Sequence, residues 1–532
     1  MSSPAKRPNF LFIITDQHRA DHLGCYGNTE VHTPHIDSLA ARGQCFDRFY
    51  VATPVCMPNR ASIMTGRLPS VHGARSNGVP LSLDAVTFAD VLSANGYHTG
   101  VVGKIHLQNM EDRPAATEDP DYGDLAVTPG LEEATRRDIR GPEYQQERRS
   151  RWVDPAHGLT LPYYGFQHVD LCNHHGDETF GDWLRWAEAS RPDLGELCGP
   201  DNATPDERYE APQAWRTKVP EELYSSFYIA DRAEAYLRER AEGDQPFFLQ
   251  CSFPDPHHPF TPPGKYWDMF DPAEVTISET CQPPGPDAPP HVRWAHAERA
   301  AGRAVLDTPR MFAVSAQEAR QILALTYGMI AMVDDAVGRI LRTLEDTGLA
   351  ENTVVIFTSD HGDFMGDHGL MLKGPIHYQG LIRVPFIWSD PATTEAGRVE
   401  ALGSCADIAG TVLARAGLAP FNGMQSSNLL PLMQGDTAGA RRAVLVEEDN
   451  QRAYLGFERP VRARTLVTAR YRLTLYRDAD WGELYDLQED PLERRNLWAD
   501  PASAAVRLEL TEMLAQQLLE KDDQSPLPTQ LA

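Results

Sequence analysis

Four short apolar segments in this sequence each end abruptly at polar or charged residues; they are Asn9–Thr15, His98–Gly103, Pro246–Ser252 and Thr353–Thr358. Uninterrupted apolar runs of this length are typical of strands that helices cover on both faces of a mostly parallel sheet. Helix-like stretches lie between them: Thr33–Arg42, Thr87–Ala94, Glu222–Arg240 and Ala316–Glu345. This alternation predicts an α/β fold in which a large mixed, mostly parallel sheet is sandwiched by helices.

The residues that follow the four predicted strands carry reactive or charged groups. They are Asp16, then Lys104 and His106, then His257, and finally Asp360 and His361. In open α/β sheets, ligands bind beyond the carboxyl ends of the strands. The sequence therefore predicts that these distant residues converge on one site.

The pattern changes after residue 442. Short segments typical of antiparallel strands are followed by a helical stretch: Ala443–Glu447, Arg464–Thr468, Arg472–Tyr476 and then Ala505–Leu519. We expect a catalytic domain over residues 1–442 and a small C-terminal α+β subdomain with a polar tail over residues 443–532. Residues 110–220 and 260–310 are predicted to be variable surface excursions that shape substrate choice.

Composition narrows the classes of function. Lys and Arg number 49 against 76 Asp and Glu, a net charge of −27, which repels nucleic acid and anionic membranes. No apolar run approaches the roughly 18–20 residues that span a bilayer, and the polar N-terminus leads directly into the first strand. We expect a cytoplasmic protein that binds neither nucleic acid nor membrane, with a homo-oligomer left open. The eight scattered cysteines favour reduced thiols over a disulfide framework.

The densest chemical signal lies at residues 53–62. Pro58 is favourable in the first turn of a helix, and residues 59–66 can continue that helix to a glycine. Cys56 is therefore predicted at a helix N-terminus, where free backbone N–H groups favour anions and acidify a thiol. Arg60 adds a fixed positive charge one turn later. The alternative interpretation is a buried structural cysteine beside a proline kink.

The pattern Cys56-x-Pro58-x-Arg60, followed by Ala61-Ser62 and Thr65-Gly66-Arg67, resembles the activation motif of type I sulfatases in the alkaline phosphatase superfamily. Further matches follow in family order over nearly the whole chain, at Asp16 and at residues 103–106, 256–260, 360–362, 369–374, 383–385 and 483–487. The resemblance implies that a formylglycine-generating enzyme converts Cys56 to Cα-formylglycine. It also implies hydrolysis of a small-molecule organic sulfate ester, assayed most readily as an aryl sulfate.

A divalent metal site follows from the residues and from the resemblance. Asp16, Asp360 and His361 are the candidate ligands, the oxygen of modified Cys56 completes the site in the family, and Gln17 is a candidate further ligand. Taken singly, Asp16 can be a helix cap and Asp360 a turn residue. Many family members have Asp at position 17 and Asn at position 361. The imidazole shifts the expected preference from Ca²⁺ towards Mn²⁺, so either ion is expected.

The remaining candidate residues would handle the substrate. Arg60, Lys104, His106 and Lys373 are predicted to clamp a sulfate-sized anion. In the family, the counterpart of His257 contacts the leaving-group side, which implies a general acid here. His106 is the expected base that lets the hydrated aldehyde expel sulfate, and Asn77 either lines the pocket or holds a turn.

Two other functions remain open. Asp16-Gln17 and Asp360-His361 resemble the phosphonate monoester and phosphodiester hydrolases of the same superfamily as well as choline-sulfatase-like enzymes, whereas residues 103–106 match the sulfatase version of that loop. From another class, a catalytically silent metal-binding scaffold would retain an unmodified thiol at Cys56.

Overall fold

The computed structural model describes residues 7–113, 139, 141–393 and 395–530. Part of the predicted 110–220 excursion therefore lies outside the described residues. The strands are β1 Asn9–Thr15, β2 Gln44–Tyr50, β3 His98–Gly103, β4 His168–Asn173, β5 Phe180–Gly181, β6 Phe247–Ser252, β7 Phe312–Ala313, β8 Thr353–Ser359, β9 Leu370–Met371, β10 Phe386–Ser389, β11 Gly397–Ser404, β12 Ala443–Asp449, β13 Arg462–Thr468, β14 Tyr471–Tyr476 and β15 Gly482–Asp486.

The α-helices connect and cover these strands. They are α1 Pro34–Ala41, α2 Cys56–Thr65, α3 Pro69–His72, α4 Phe88–Ala94, α5 Asp182–Ser190, α6 Ser225–Ala241, α7 Pro290–Ala300, α8 Ala316–Asp346, α9 Gln379–Ile382, α10 Asp407–Arg415, α11 Leu430–Met433 and α12 Ala504–Glu520.

Within the described residues, the main sheet has nine strands in the order β11-β2-β10-β8-β1-β6-β3-β4-β5. The central strands β8, β1, β6, β3 and β4 run parallel, while β10 and β5 run antiparallel to their neighbours. The predicted mixed, mostly parallel sheet is confirmed. All four apolar segments recognised in the sequence are central strands of this sheet.

Strand β1 shows why its sequence is apolar throughout. Phe10 and Phe12 point into one core, which helices α4 and α10 cover, while Leu11 and Ile13 point into a second core beneath α1, α6 and α8. Successive side chains of a strand face opposite sides, so a strand covered on both faces needs apolar residues at every position. Each of these four side chains is fully buried.

Residues 443–520 build a four-stranded antiparallel sheet in the order β12-β13-β14-β15 with helix α12 against it. Leu466 and Leu484 face α12, whereas Val467 and Tyr485 join the first core of the main sheet. The predicted antiparallel sheet and helix are confirmed, and the sheet contains a fourth strand, β15, that the sequence analysis did not predict. The domain boundary at residues 442 and 443 stays a prediction.

The prediction of a surface excursion over residues 110–220 is wrong for residues 168–190. Strand β4 extends the main sheet beside β3, with Val101 opposite Val169, and helix α5 packs against it through Trp183. The reason is burial: Leu171 and Cys172 are fully enclosed. The short apolar stretch is interrupted by Asp170, whose carboxylate accepts a hydrogen bond from His168 Nε2 at 2.8 Å.

The length and apolar composition of the helices were compared with what a membrane span requires. Among the helices in the described part of the chain, none combines the length and apolar composition that crossing a bilayer requires.

Candidate active site and metal centre

Cys56 is the first residue of helix α2, as predicted, and its side chain is buried. The helix ends at Gly66, which adopts the left-handed conformation at φ 64°. Near the start of the helix, the Met57 N–H donates to Oδ1 of Asn77 at 3.2 Å. Asn77 therefore satisfies one of the free backbone groups of the first turn of the helix that begins at Cys56. The choice between a pocket-lining and a turn-holding role for Asn77 stays open.

The parallel strands bring distant polar residues to one edge of the sheet. Thr15 of β1 pairs with Ser359 of β8, so the next residues, Asp16 and Asp360, are neighbours. Lys104 follows β3 on the other side of β6. The side chains of Asp16, Lys104 and Asp360 are fully buried. The predicted convergence of strand ends is present in the structure.

Four ligand atoms form a compact donor group at this edge. One atom each from Asp16, Cys56, His257 and His361 lies within 4.8 Å of the others. His257 was expected only as an acid, whereas Asp360, an expected ligand, lies beside this group with Oδ1 3.7 Å from Nε2 of His361. A carboxylate, imidazoles and a thiol suit a divalent transition ion.

The orientation of His361 fits a metal ligand. Its Nδ1–H donates to the carbonyl oxygen of Gly362 at 2.8 Å, which points Nε2 at the donor group. Nε2 lies 3.0 Å from Sγ of Cys56 and 3.5 Å from Oδ1 of Asp16. Metal-binding histidines are commonly fixed by such a hydrogen bond from the other ring nitrogen.

Gln17 is oriented towards the same group by a carboxylate that sequence reasoning missed. Its Nε2 donates to Oδ2 of Asp363 at 2.6 Å, and its Oε1 accepts from Nζ of Lys373 at 3.4 Å. Oδ1 of Asp363 also accepts from the backbone N–H of Leu372, so it ties Gln17 to the loop that carries Lys373. The amide oxygen thus lies against the ammonium of Lys373, which also lies 3.1 Å from Sγ of Cys56. The ligand role of Gln17 stays a prediction.

Buried cations keep the carboxylate of Asp16 ionised. Burial alone would raise its pKa, but the ammonium of Lys104, with the guanidinium of Arg60, outweighs burial and holds the pKa well below its usual range. Lys104 donates to Oδ2 of Asp16 and lies 2.5 Å from Nε2 of His175. Lys104 therefore contacts the metal-ligand side of the site.

The guanidinium of Arg60 contacts the buried carboxylates of Asp360 and Asp16. Its Nε donates to Oδ2 of Asp360 at 2.7 Å and a terminal nitrogen to Oδ2 of Asp16 at 3.4 Å. The third nitrogen donates to Oγ of Ser252 at 2.9 Å. Each of the three guanidinium nitrogens thus donates to a protein acceptor. The anion-clamp role expected for Arg60 stays a prediction.

The thiol of Cys56 is acidified by its neighbours. Burial and Asp16 raise its pKa, but Lys373, His361 and Lys104 outweigh them, and the pKa falls below its ordinary value. Nζ of Lys373 lies 3.1 Å from Sγ. A helix N-terminus and two adjacent cationic groups make this a reactive environment for a cysteine.

His257 is held as a neutral ring. Its Nδ1–H donates to the carbonyl oxygen of His258 at 2.6 Å, and its Nε2 accepts from Nζ of Lys373 at 2.7 Å. Burial, together with His175, His258 and Lys373, lowers the pKa of His257 well below its ordinary value. Lys373 thus lies between His257 and Cys56 and contacts both.

His175 belongs to the site although the sequence analysis did not select it. Its ring stacks on that of His257 with centroids 3.5 Å apart, and its Nε2 lies 3.7 Å from Oδ2 of Asp16. His175 follows strand β4 just as Asp16 follows β1. The sequence feature that could have identified His175 is the short apolar stretch before Asn173-His174-His175. Asp170 interrupts that stretch and made it hard to recognise as a strand.

His106 lies near this edge but does not contact Cys56 by a hydrogen bond within the described residues. Its backbone has φ 52°, its side chain is buried, and its Nδ1 has no partner in the described part of the chain. The atoms within 3.1 Å of Sγ belong to His361 and Lys373. The base role expected for His106 stays a prediction.

Comparison with known proteins agrees with this geometry. A family model described as Sulfatase matches residues 8–418, and one described as N-sulphoglucosamine sulphohydrolase, C-terminal, matches residues 366–521. The sulfatase YidJ of Escherichia coli (strain K12) is 29% identical over 523 residues, covering 96% of this chain and 86% of the relative. An arylsulfatase of Clostridium perfringens (strain 13 / Type A) is 27% identical over 512 residues, covering 92% and 90%.

A solved structure of similar architecture is the phosphonate monoester hydrolase of Agrobacterium radiobacter. It superimposes with a TM-score of 0.76 at 26% sequence identity, covering 99% of this chain and 98% of that chain.

Proposed function

Because the chain belongs to the sulfatase family of the alkaline phosphatase superfamily, we propose that it hydrolyses an organic, aryl-type sulfate monoester with a modified Cys56 as nucleophile. Its relatives support a sulfuric ester hydrolase. The observation that carries the finer proposal is the position of Cys56, buried at a helix N-terminus with Lys373 and His361 in hydrogen-bond range of Sγ.

The nucleophile is proposed to be Cα-formylglycine, made from Cys56 by a formylglycine-generating enzyme. A hydrated aldehyde supplies one hydroxyl to attack sulfur and a second whose deprotonation releases sulfate. The chain's own contribution is placement, because helix α2 and Lys373 fix the atoms around this side chain. A thiol that is merely structural would not need the ring of His361 and the ammonium of Lys373 against it.

A divalent cation is proposed beside this side chain, held by Asp16, Asp360 and His361 with Gln17 as a further ligand. The residues fit such an ion: Asp16 stays ionised, Nε2 of His361 lies 3.5 Å from Oδ1 of Asp16, and the amide oxygen of Gln17 lies 3.4 Å from Nζ of Lys373. When bound, the ion supplies Lewis acidity that favours a deprotonated hydroxyl at neutral pH. The imidazole favours Mn²⁺, while Ca²⁺ is the oxygen-preferring alternative.

Cationic side chains are proposed to hold the ester and to manage its proton. Lys104 and Lys373 supply positive charge for a sulfate group, since an acidic protein must attract an anion locally. His257 is proposed to protonate the leaving oxygen, and the ammonium of Lys373 donates to its Nε2. In the structure the proton of this pair stays on Lys373, because Cys56 and Asp16 outweigh burial and raise the pKa of its ammonium. The anionic ester has to raise the proton affinity of His257 before that ring becomes the donor.

A second candidate is hydrolysis of phosphonate monoesters or phosphodiesters. It rests on the fold similarity to the phosphonate monoester hydrolase and on the pairs Asp16-Gln17 and Asp360-His361. The lysine at position 104 favours the sulfatase assignment, because the phosphonate branch tends to carry hydroxyl residues in that loop.

One experiment separates the candidates. Turnover of three substrates with the same nitrophenyl leaving group is compared: a sulfate monoester, a phosphonate monoester and a phosphodiester. Enzyme made in a host with the maturation machinery is used, and peptide mass spectrometry of residues 49–60 records the state of Cys56. We expect the sulfate to be preferred and Cys56 to be an aldehyde. Preference for a phosphorus ester selects the second candidate, and an unmodified thiol without turnover selects the silent scaffold.

A further inference from the structure

The two faces of the C-terminal sheet differ in polarity although both are buried. Leucines on strands β12–β15 face helix α12; they are Leu445, Leu466, Leu473 and Leu484. The face towards the main domain carries buried polar side chains on the same four strands: Glu448, Thr465, Arg472, Thr474, Tyr476 and Glu483. Burying polar groups costs free energy, and well-packed apolar residues would join the two layers at least as firmly. Cohesion alone therefore does not explain this polar face.

Side chains beyond residue 442 hold the segment that follows Lys373 at both of its ends. At the start, the hydroxyl of Tyr476 donates to the carbonyl oxygen of Pro375 at 3.1 Å. At the end, the backbone N–H of Gln379 donates to Oε2 of Glu493, a residue that follows strand β15, at 2.7 Å. The backbone of this segment is therefore fixed by groups that come late in the chain.

Between these two contacts lies His377, whose side chain is fully buried. Its Nε2–H donates to Oε2 of Glu448 at 2.9 Å, and its Nδ1 accepts from Oγ1 of Thr465 at 2.7 Å. Thr465 accepts from Oγ1 of Thr474 at 2.7 Å, and Thr474 accepts from a terminal nitrogen of Arg472 at 2.8 Å. A guanidinium only donates and a carboxylate accepts, so this chain of hydrogen bonds runs in one direction and fixes the orientation of the imidazole.

The backbone at Lys373 needs such support. Leu372, the residue before it, is fully buried and has φ 67°, a conformation that residues other than glycine rarely adopt. Backbone of this kind persists only where its surroundings fix it. On one side, Oδ1 of Asp363 accepts from the N–H of Leu372 at 3.0 Å. On the other side, the contacts of residues 375–379 fix the segment.

Building on the role that the proposed function gives to Lys373, we propose that His377, held by Glu448, is the positioning residue for that lysine. Residues 374–376 alone separate Lys373 from His377, and a chain this short cannot absorb a displaced imidazole without moving the lysine. The contacts at stake are those of Nζ with His257 at 2.7 Å and Cys56 at 3.1 Å. The C-terminal sheet thereby completes the active site without contributing a group that touches the substrate.

A double-mutant cycle tests this coupling. His377→Leu removes both hydrogen bonds of the imidazole, Lys373→Met removes the ammonium, and a third variant combines them. Values of kcat and KM are measured with whichever of the three nitrophenyl esters the wild-type protein hydrolyses fastest. We expect His377→Leu alone to lower kcat by about 10²-fold, as ångström-scale misplacement does. In the Lys373→Met background it should lower kcat by about twofold or less, because its effect passes through the ammonium.

Matched variants separate positioning from stability. His377→Gln keeps a donor for Glu448 and should restore most of the lost kcat. Thr468→Val lies on the same strand as Thr465 and removes the acceptor of the Tyr471 N–H at 2.8 Å. It should lower the melting temperature and leave kcat unchanged. Thr465→Val, which removes only the donor to Nδ1 of His377, replaces His377→Leu in every comparison if that variant does not fold.

A crystal structure of His377→Leu gives a readout that needs no turnover. We expect Nζ of Lys373 to lie beyond hydrogen-bond range of Nε2 of His257, whereas Thr468→Val should retain that contact. The positioning role is overturned if the contact persists in His377→Leu, or if His377→Leu lowers kcat equally with and without the ammonium of Lys373. A wild-type protein that hydrolyses none of the three esters would overturn the proposed function, and the position of Nζ would still decide the positioning role.

Discussion

Nζ of Lys373 lies 2.7 Å from Nε2 of His257, and the same ammonium lies 3.1 Å from Sγ of Cys56. One cation thus joins the candidate acid to the candidate nucleophile. The other nitrogen of His257 donates to a backbone carbonyl, so only Nε2 can exchange a proton with a substrate. This arrangement gives His257 a proton donor, although its own pKa is lowered by burial.

The His257→Ala variant should therefore lose activity in a way that depends on the leaving group. Protonation matters most for alcohols that leave poorly, so we expect a loss of about 10²–10⁴-fold with alkyl sulfates and a much smaller one with nitrophenyl sulfate. A series of sulfate esters of graded leaving-group pKa measures this as a change in slope. His258→Gln, a change at the adjacent buried ring, is the control. An equal loss across the series would contradict the acid role.

The Cys56→Ala variant should have no measurable turnover while keeping its fold. The side chain is small and the helix begins with free N–H groups in either protein, so circular dichroism and the melting temperature should change little. Cys198→Ala, which removes a half-buried thiol elsewhere, should keep full activity. Residual turnover in Cys56→Ala at more than a trace level would exclude this position as the nucleophile.

The sequence was informative where strands are covered on both faces. Runs such as Asn9–Thr15 must be apolar at every position, so both the strand and the polar residue that ends it were visible. Strand β4 was not, because Asp170 interrupts its short run, and His175 was lost with it. Strand β11 lies at the edge of the sheet and has charged residues on its exposed face, so its sequence shows no continuous apolar run.

The hydrogen-bond partners of the site's side chains could not be predicted from the sequence, for a different reason. Asp363 lies three residues after Asp360, but its hydrogen bond to Gln17 joins residues 346 positions apart. Arg60 was recognised as a charge near Cys56, yet its contacts to two buried carboxylates depend on the packing of β1, β3 and β8. Motif spacing identifies the residues, whereas only the fold determines which groups they contact.

Removal of the metal should lower both activity and stability. A chelator should abolish turnover, and readdition of Mn²⁺ should restore more activity than Ca²⁺ because His361 supplies an imidazole. Metal at about 100 times its dissociation constant stabilises a folded protein by about 2.7 kcal/mol, so a rise in melting temperature gives a readout independent of catalysis.

The His361→Asn variant tests the source of that preference. An amide oxygen replaces the imidazole nitrogen, so Mn²⁺ affinity should fall by about 10–100-fold while Ca²⁺ binding is retained. Metal content after dialysis and the metal-dependent shift in melting temperature measure the change. Unaltered Mn²⁺ affinity in the variant would show that position 361 is not a ligand.

His72 should make the protein sensitive to acid. Its Nδ1 accepts from the backbone N–H of Ala74 at 3.1 Å, so the neutral ring donates from Nε2 to Oγ of Ser62 at 3.0 Å. Burial lowers the pKa of His72 to about 3. Between that value and the ordinary pKa of about 6.5, the unfolded chain binds the proton and the folded chain does not.

The free energy of unfolding should consequently fall as the pH drops below about 6.5, with this one group contributing up to about 1.4 kcal/mol per pH unit. In His72→Gln, which retains a donor and an acceptor, the melting temperature should depend less on pH between 6.5 and 4. His32→Gln, the same change at an exposed position, should keep the wild-type slope. Protonation of His72 would place an N–H donor against the N–H of Ala74, so the charged ring cannot make the Ala74 hydrogen bond. An unchanged slope in His72→Gln would therefore mean that the ring is already charged in the folded protein and that the Ala74 hydrogen bond is absent.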